Sequence, residues 1–147
     1  MERIAIEPDE RSAEGVTVLR AEALARARLA GAGRATAFDF AGTGGSKTWI
    51  GTVTLPPNGG TGAHHHGRHE VAIFVVKGRS LIRWGGRLEF GTEVGPGDMV
   101  YFAPYAPHQE SNPDRSEAVE FLVIRSDNER IATGLDVVPV EHPEIVL

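Results

Sequence analysis

The sequence predicts an all-β domain built as a barrel or a sandwich. From Thr48 onward, short runs rich in β-branched and aromatic residues recur, each bounded by glycine or proline. Glycine and proline contribute 18 and 9 of the 147 residues, an excess over average usage that suits a fold of many short strands and turns. No stretch of this region sustains a helical period, so the pattern excludes alternating β–α–β units.

Seven strands are predicted in this region, separated by turn sequences. Segments 56–60 and 95–98 combine proline, glycine and asparagine or aspartate, which favour chain reversal. Gly85-Gly86 separates two runs by two residues that tolerate positive φ, which predicts a tight hairpin. The predicted strands cover residues 48–55, 70–76, 80–84, 88–94, 99–102, 118–125 and 137–140.

Residues 1–47 are predicted to form an N-terminal arm that precedes a barrel domain of residues 48–147. The arm contains an apolar alternation at 16–19, typical of an edge strand, and a helix-forming segment at 21–30 that ends at Gly31. Segment 42–46 reads as a flexible loop. We expect the arm to pack on the barrel or on a partner subunit.

Composition and charge narrow the functional classes. The chain has 15 Lys plus Arg against 20 Asp plus Glu, a net charge of −5, so it is a poor ligand for phosphate backbones and we expect no nucleic-acid partner. No apolar run is long enough to span a bilayer, and the first residues lack a secretory pattern. The chain has no cysteine, which excludes disulfides and thiolate ligands. We expect a cytoplasmic protein that does not interact with membranes.

Two predicted strands are apolar on both faces, at 71–76 and 119–124. One face fills the interior, and the other needs cover from a second sheet, from residues 1–47 or from another subunit. We expect a homodimer, with cover by the chain's own N-terminal arm as the alternative.

Four of the six histidines lie between positions 64 and 69, and this cluster is the candidate functional site. On a strand, His64 and His66 point to one face and His65 to the other. A bend after His66 would return Glu70 to the same side. Two imidazoles and a carboxylate at adjoining positions form the ligand set of non-haem Fe(II) centres, and this set also suits Mn, Co, Ni, Cu and Zn.

The candidate fourth ligand is His108. It follows Pro104-Tyr105-Ala106-Pro107, a rigid turn that fixes the direction of the side chain. We therefore predict one divalent transition metal per chain, bound by His64, His66, Glu70 and His108, against the alternative of a solvated histidine loop.

The remaining histidines and Asn112 are not among the predicted metal ligands. His65 and His69 are predicted to face outward or to support the ligands, and His69 would itself ligate if the bend differs. His142 is predicted to be a surface residue. Asn112 shares the strand face of His108 and is a candidate supporting or pocket residue.

These motifs resemble those of the cupin superfamily. The first cupin motif is Gly, five residues, His-x-His, three or four residues, Glu, six residues, Gly. The stretch from Gly59 to Glu70, with Gly78 seven residues later, matches it with two spacers off by one. The second motif ends in Pro-x-Gly, two residues, His, three residues, Asn; Pro104, His108 and Asn112 match it, and Ala106 replaces the glycine.

The resemblance covers about residues 48–126 and is to the small single-domain RmlC-like bacterial cupins. It implies a double-stranded β-helix, or jelly roll, and the same four metal ligands.

The predicted metal site has two functional interpretations. The first is a metal-dependent enzyme of dioxygenase, isomerase or decarboxylase type that acts on a small oxygen-bearing metabolite. The alternative is a non-catalytic sensor or storage module that binds a small ligand or metal. Glu110, on the face of His108, is the candidate general acid or base, against the preferred alternative of a solvated charge at the mouth of the barrel. The candidate pocket residues are Trp49, Phe74, Arg83, Tyr101 and Asn112.

Overall fold

Strands make up most of the regular structure in the computed structural model, which describes residues 12–13, 15–30, 34–38, 47–126 and 131–146. The predicted loop at 42–46 lies outside these residues. The elements in chain order are β1 (Ser12–Ala13), β2 (Val16–Thr17), α1 (Ala21–Ala30), β3 (Arg34–Phe38), β4 (Thr48–Leu55), β5 (His64–His65), β6 (Val71–Lys77), β7 (Ser80–Trp84), β8 (Phe90–Val94), β9 (Met99–Phe102), β10 (His108–Ser111), β11 (Val119–Ser126), β12 (Thr133–Gly134) and β13 (Glu144–Ile145).

The strands form two facing sheets and a small hairpin. One sheet has the order β3-β4-β11-β6-β9, and the other has the order β12-β5-β10-β7-β8-β13. All pairings are antiparallel except that of β13 with β8. From β4 to β7 and again from β8 to β12, consecutive strands alternate between the sheets, as in a jelly roll. The predicted all-β double-stranded β-helix is therefore confirmed.

The strand bounds follow the sequence pattern closely where turns are explicit. Strands β4, β7 and β9 and helix α1 have the predicted bounds, and β6 and β11 start one residue later than predicted. The prediction of a strand at 137–140 is wrong, because this segment has no strand structure. Strand β3 was not predicted; it pairs with β4 and adds an edge to the sheet.

The connection between β7 and β8 is longer than the predicted two-residue hairpin. Trp84 pairs with Phe90, so residues 85–89 form the loop. Within it, Leu88 has a φ of 50° and is only 1% exposed. Arg83 donates hydrogen bonds to the Leu88 carbonyl, at 2.9 and 3.1 Å, and to the Val140 carbonyl at 2.8 Å. The guanidinium thus ties this loop to the segment before β13.

The core lies between the two sheets and follows the two-residue period of the strands. Along most of β6 and β11 the odd-numbered residues face inward and the even-numbered residues face outward. Ile82 and Val94 close the core from the opposite sheet. The buried cluster consists of Leu55, Val71, Ile73, Val75, Ile82, Val94, Phe102, Val119 and Phe121.

The outer face of the five-stranded sheet is largely apolar. Val76, Met99, Tyr101 and Ile124 are exposed there. This face matches the sequence-based reason for expecting a dimer, and the homodimer stays a prediction. No helix among residues that the structure describes is long and apolar enough to cross a membrane.

A matched pair of isoleucines tests this division into inner and outer faces. Ile82 is 0% exposed and Ile124 is 38% exposed. We expect Ile82→Ala to lower the free energy of unfolding by about 2–5 kcal/mol, because it leaves a cavity in the core, and Ile124→Ala to lower it by about 1 kcal/mol or less. Urea denaturation measures both. Equal losses would contradict the assignment of the two faces.

Candidate metal centre

Pairing between β5 and β10 brings two histidines from distant parts of the sequence together. His108 lies directly opposite His64 in the antiparallel ladder, so both side chains project from the same face of the sheet. His66 follows two residues after His64 and shares that face. The sequence period and the strand register thus converge on one cluster.

The three imidazoles of His64, His66 and His108 are in mutual contact. The ring centroid of His64 lies 4.9 Å from that of His66 and 4.3 Å from that of His108. Their potential ligand nitrogens all lie within 4.8 Å of one another. Nitrogens bound to one metal at bond lengths of about 2.0–2.1 Å lie about 3 Å apart, so an inward movement of the rings by about an ångström would bring them to bonding distance.

Backbone carbonyls fix the tautomer of all three rings. Nδ1 of His64 lies 2.8 Å from the Gly62 oxygen, and Nδ1 of His108 lies 2.9 Å from the Ala106 oxygen. Nδ1 of His66 lies 2.9 Å from the oxygen of Ile131. Because a carbonyl oxygen can only accept, we assign the proton of each neutral ring to Nδ1. Each Nε2 then keeps its lone pair, as a metal ligand requires.

His108 offers a direct test of whether these residues fit a metal. Its side chain is fully buried, and the ring stacks on Phe102 with centroids 3.8 Å apart. Nε2 of His108 makes no hydrogen bond to any described residue. A buried nitrogen without a partner is costly, and a metal at the centre of the cluster would satisfy it. Three imidazole nitrogens suit a divalent transition metal.

Glu110 supplies the carboxylate of this cluster. Its oxygens lie 3.5 Å from Nε2 of His108 and 3.8 Å from Nε2 of His64. The Thr61 hydroxyl donates to Oε2 at 3.0 Å and accepts from the backbone N–H of Glu110 at 3.1 Å. This carboxylate is therefore held beside the nitrogens that would bind a metal.

Glu70 lies away from the cluster, which differs from the sequence-based expectation. Gly67 adopts a φ of 57°, and the bend there turns His69 and Val71 inward. Glu70, between them, is exposed and accepts a hydrogen bond from the Tyr101 hydroxyl at 2.6 Å. The expectation fails because the bend sets the side of the strand on which each residue falls.

Burial and charge shift the protonation of the cluster. Burial lowers the pKa of His66 to about 4 and also lowers that of His64. In the metal-free site, burial acts to raise the pKa of Glu110, but interactions with the protonated forms of His108 and His64 and with the Thr61 hydroxyl outweigh it and lower this pKa to about 2. At neutral pH, His64 and His66 are neutral and Glu110 is an anion, the forms that bind metal cations.

A small cavity of about 50 Å³ adjoins the cluster. Glu110, Thr61 and His66 line one part of it, and Arg34 on β3 adds a positive charge. The other walls are apolar, formed by Val53, Leu55, Val71, Ile73, Phe121 and Val123. The cavity combines a polar end beside the histidines with apolar walls.

The five predicted pocket residues all lie outside the lining of this cavity. Trp49 stacks under the Arg125 guanidinium at 4.1 Å, and Phe74 lies on the outward face of β6. Arg83 binds the loop after β7, and Tyr101 is exposed beside Glu70. The Asn112 amide donates to carbonyls of Leu55, Pro56 and Glu117, so it ties loops together instead of facing the pocket.

The other histidines are divided between core and surface. His65 faces away from the cluster and its Nδ1 accepts the Gly67 backbone N–H at 3.0 Å. His69 is 1% exposed, which corrects the expectation that it faces outward, and it is not part of the three-histidine group. His142 is exposed, as predicted.

Sequence reasoning missed Arg34, Thr61 and the carbonyl of Ile131. The alternation of polar and apolar residues in segment 34–38 was a weak strand signal for Arg34. The Ile131 carbonyl lies 65 residues from His66 in sequence, so no local sequence pattern predicts their hydrogen bond.

Comparisons with known structures agree with this architecture. An uncharacterized conserved protein with a double-stranded β-helix domain from Klebsiella pneumoniae superposes with a TM-score of 0.60, at 14% identity over 70% of this chain and 83% of that one. The polyketide cyclase RemF from Streptomyces resistomycificus gives a TM-score of 0.61, at 23% identity over 75% and 73% of the two chains. Both likenesses show the fold.

A cupin 2 domain-containing protein from Halorhodospira halophila gives a TM-score of 0.61, at 28% identity over 70% of this chain and 69% of that one. No curated protein matches the sequence. The family model described as Cupin domain matches residues 51–125, a span that holds the histidine cluster and Glu110. This chain therefore belongs to the cupin family.

Proposed function

We propose that this cupin binds one divalent transition metal through Nε2 of His64, His66 and His108, with Glu110 as the adjacent carboxylate. The observation that carries the proposal is the convergence of three imidazoles whose Nδ1 atoms are all bonded to backbone carbonyls. This arrangement directs three lone pairs to one point. This donor set can bind any of the divalent metals Fe, Mn, Ni, Co, Cu and Zn.

The metal site and the cavity beside it support an enzyme that acts on a small oxygen-bearing molecule. A metal held there supplies Lewis acidity, and as iron it also supplies redox chemistry with dioxygen, so dioxygenase, isomerase and decarboxylase reactions are all compatible with it. The apolar walls offer few groups that would hydrate a bound molecule, which strengthens the electrostatic interactions at the polar end.

Glu110 is better suited to hold a cation than to move protons. Its pKa of about 2 lies far from neutral pH, and an efficient general base has a pKa near the working pH. Its bond with the Thr61 hydroxyl keeps the carboxylate oriented toward the histidines. We therefore propose an electrostatic role at the metal for Glu110, in place of the acid–base role for which the sequence made it a candidate.

A non-catalytic module for a small ligand is the second candidate, favoured by the absence of a carboxylate with a pKa near neutral among the described residues that line the cavity. Protein loaded with each metal in turn and incubated with small hydroxy acids, keto acids and enols, with dioxygen uptake and product formation recorded, separates the two. Turnover supports an enzyme. Ligand-induced rises in Tm with no turnover on any metal support a binding module.

Loss of a ligand histidine should lower metal content. We expect His64→Ala, His66→Ala and His108→Ala each to weaken metal binding by more than the roughly 10–100-fold that loss of a supporting hydrogen bond costs. Elemental analysis of protein purified without a polyhistidine tag measures the content. His142→Ala, at an exposed position, is the control, and equal metal content in all four variants would refute the site.

The two glutamates form a second matched pair. We expect Glu110→Gln to reduce metal affinity about 10-fold or more, because it removes the charge beside two ligand nitrogens, and Glu70→Gln to leave the affinity unchanged. Competition titration with a chromophoric chelator measures both. A larger loss in Glu70→Gln would return the carboxylate role to the position expected from the sequence.

The lowered histidine pKa predicts how the metal-free protein responds to acid. Between pH 6.5 and about 4, His66 binds a proton in the unfolded chain but not in the folded one, so stability falls as the pH falls. We expect a loss of roughly 1–3 kcal/mol over this range, with Glu110 adding a further loss below pH 4.5. Urea denaturation in EDTA measures the loss, and His66→Gln should reduce it. An identical pH profile in that variant would contradict the assignment.

A further inference from the structure

Arg34 occupies an inward-facing position of the barrel. In the antiparallel pairing of β3 with β4, Arg34 lies opposite Val53, so their side chains share one face of the sheet. Val53 lines the cavity, and Arg34 lines it as well. The close approach of the two strands is maintained by Gly51, where a Cβ atom would lie 2.4 Å from the Ala35 carbonyl oxygen and 2.3 Å from the Trp49 ring.

The charge of Arg34 has no anionic partner among the residues that the structure describes. None of the carboxylates that the structure describes lies within ion-pair distance of its guanidinium. Glu110, the acidic residue of the cavity lining, is engaged by Thr61 and lies beside His64 and His108. Arg34 is only partly exposed, and a partly buried cation beside apolar side chains is stabilised by an anionic partner.

We propose that Arg34 binds the carboxylate of a small anionic substrate or ligand whose other oxygen faces the three histidines. This inference rests on the proposed metal site and names the class of molecule that it takes. A guanidinium accommodates a carboxylate in a planar, two-point hydrogen-bonded geometry. Arg34 is thus a specificity-determining residue that selects carboxylates over neutral molecules of the same shape.

Charge and size agree with this class of ligand. With a divalent metal bound, the metal, Arg34 and Glu110 carry a net charge of about +2, which an anion of one or two charges would reduce. The cavity of about 50 Å³ exceeds the roughly 10–15 Å³ that one water requires, and it limits the ligand to a few heavy atoms. A hydroxy or keto acid of two to four carbons meets both conditions.

A pair of nearly isosteric probes tests the proposal. Glycolate and glycolamide differ in charge but hardly in shape. With Co(II)-loaded protein, changes in the visible spectrum report binding at the metal, and calorimetry reports the affinity. We expect glycolate to bind more tightly than glycolamide, and Arg34→Gln to weaken glycolate binding about 10- to 100-fold without changing glycolamide binding. Arg34→Lys should lose less, since it keeps the charge.

Arg26→Gln is the matched control, since Arg26 is an exposed arginine on α1 of the same arm, and it should bind glycolate like the parent protein. The Co(II) spectrum and Tm of each variant establish that the site and fold are intact; if Arg34→Gln fails this check, Arg34→Lys carries the comparison. Equal glycolate affinity in the Arg34 variant and the parent, or no preference for glycolate over glycolamide, would overturn the proposal.

Failure of the proposed metal site gives a different result. If the parent protein binds no Co(II), the metal proposal fails, and the effect of glycolate on the Tm of metal-free protein then decides the role of Arg34. A rise in Tm that is lost in Arg34→Gln and kept in Arg26→Gln upholds an anion site at Arg34. No rise in the parent overturns it.

Discussion

Three hydrogen bonds between imidazole Nδ1 atoms and backbone carbonyls are the constraint on which the candidate site depends. They determine which nitrogen of each ring holds its proton and where each ring points. Two of the carbonyls lie two residues before the histidine that they orient, and the third comes from Ile131. Without these bonds the three rings would share a face of the sheet but would not present three lone pairs to one point.

Much of the fold and of the histidine cluster could be predicted from the two-residue period of the strands and from the glycines and prolines that separate them. Strands bounded by explicit turns, such as β7 and β9, have the predicted limits, because glycine and proline restrict where a strand can continue. The two-residue period placed His64 and His66 on one face, and the proline-flanked turn marked His108. These features could be predicted because each depends on the conformation of residues that are close in sequence.

The remaining features depend on geometry that sequence spacing does not encode. The positive φ of Gly67 decides that His69 points inward and Glu70 outward, and a one-residue change of register reverses that choice. The acidic group of the site comes instead from β10, where Glu110 follows His108 by two residues. Arg34 reaches the cavity only through pairing of β3 with β4, a contact that no pattern within 34–38 specifies.

The bond from His66 to Ile131 joins the cluster to the last part of the chain, 65 residues away. Ile131 follows all three histidines in the sequence, so the ring of His66 is fixed only once this residue has been added to the chain. A nascent or C-terminally clipped chain would present two oriented imidazoles and one free to rotate. If the cluster binds metal as proposed, its loading would depend on the segment that contains Ile131.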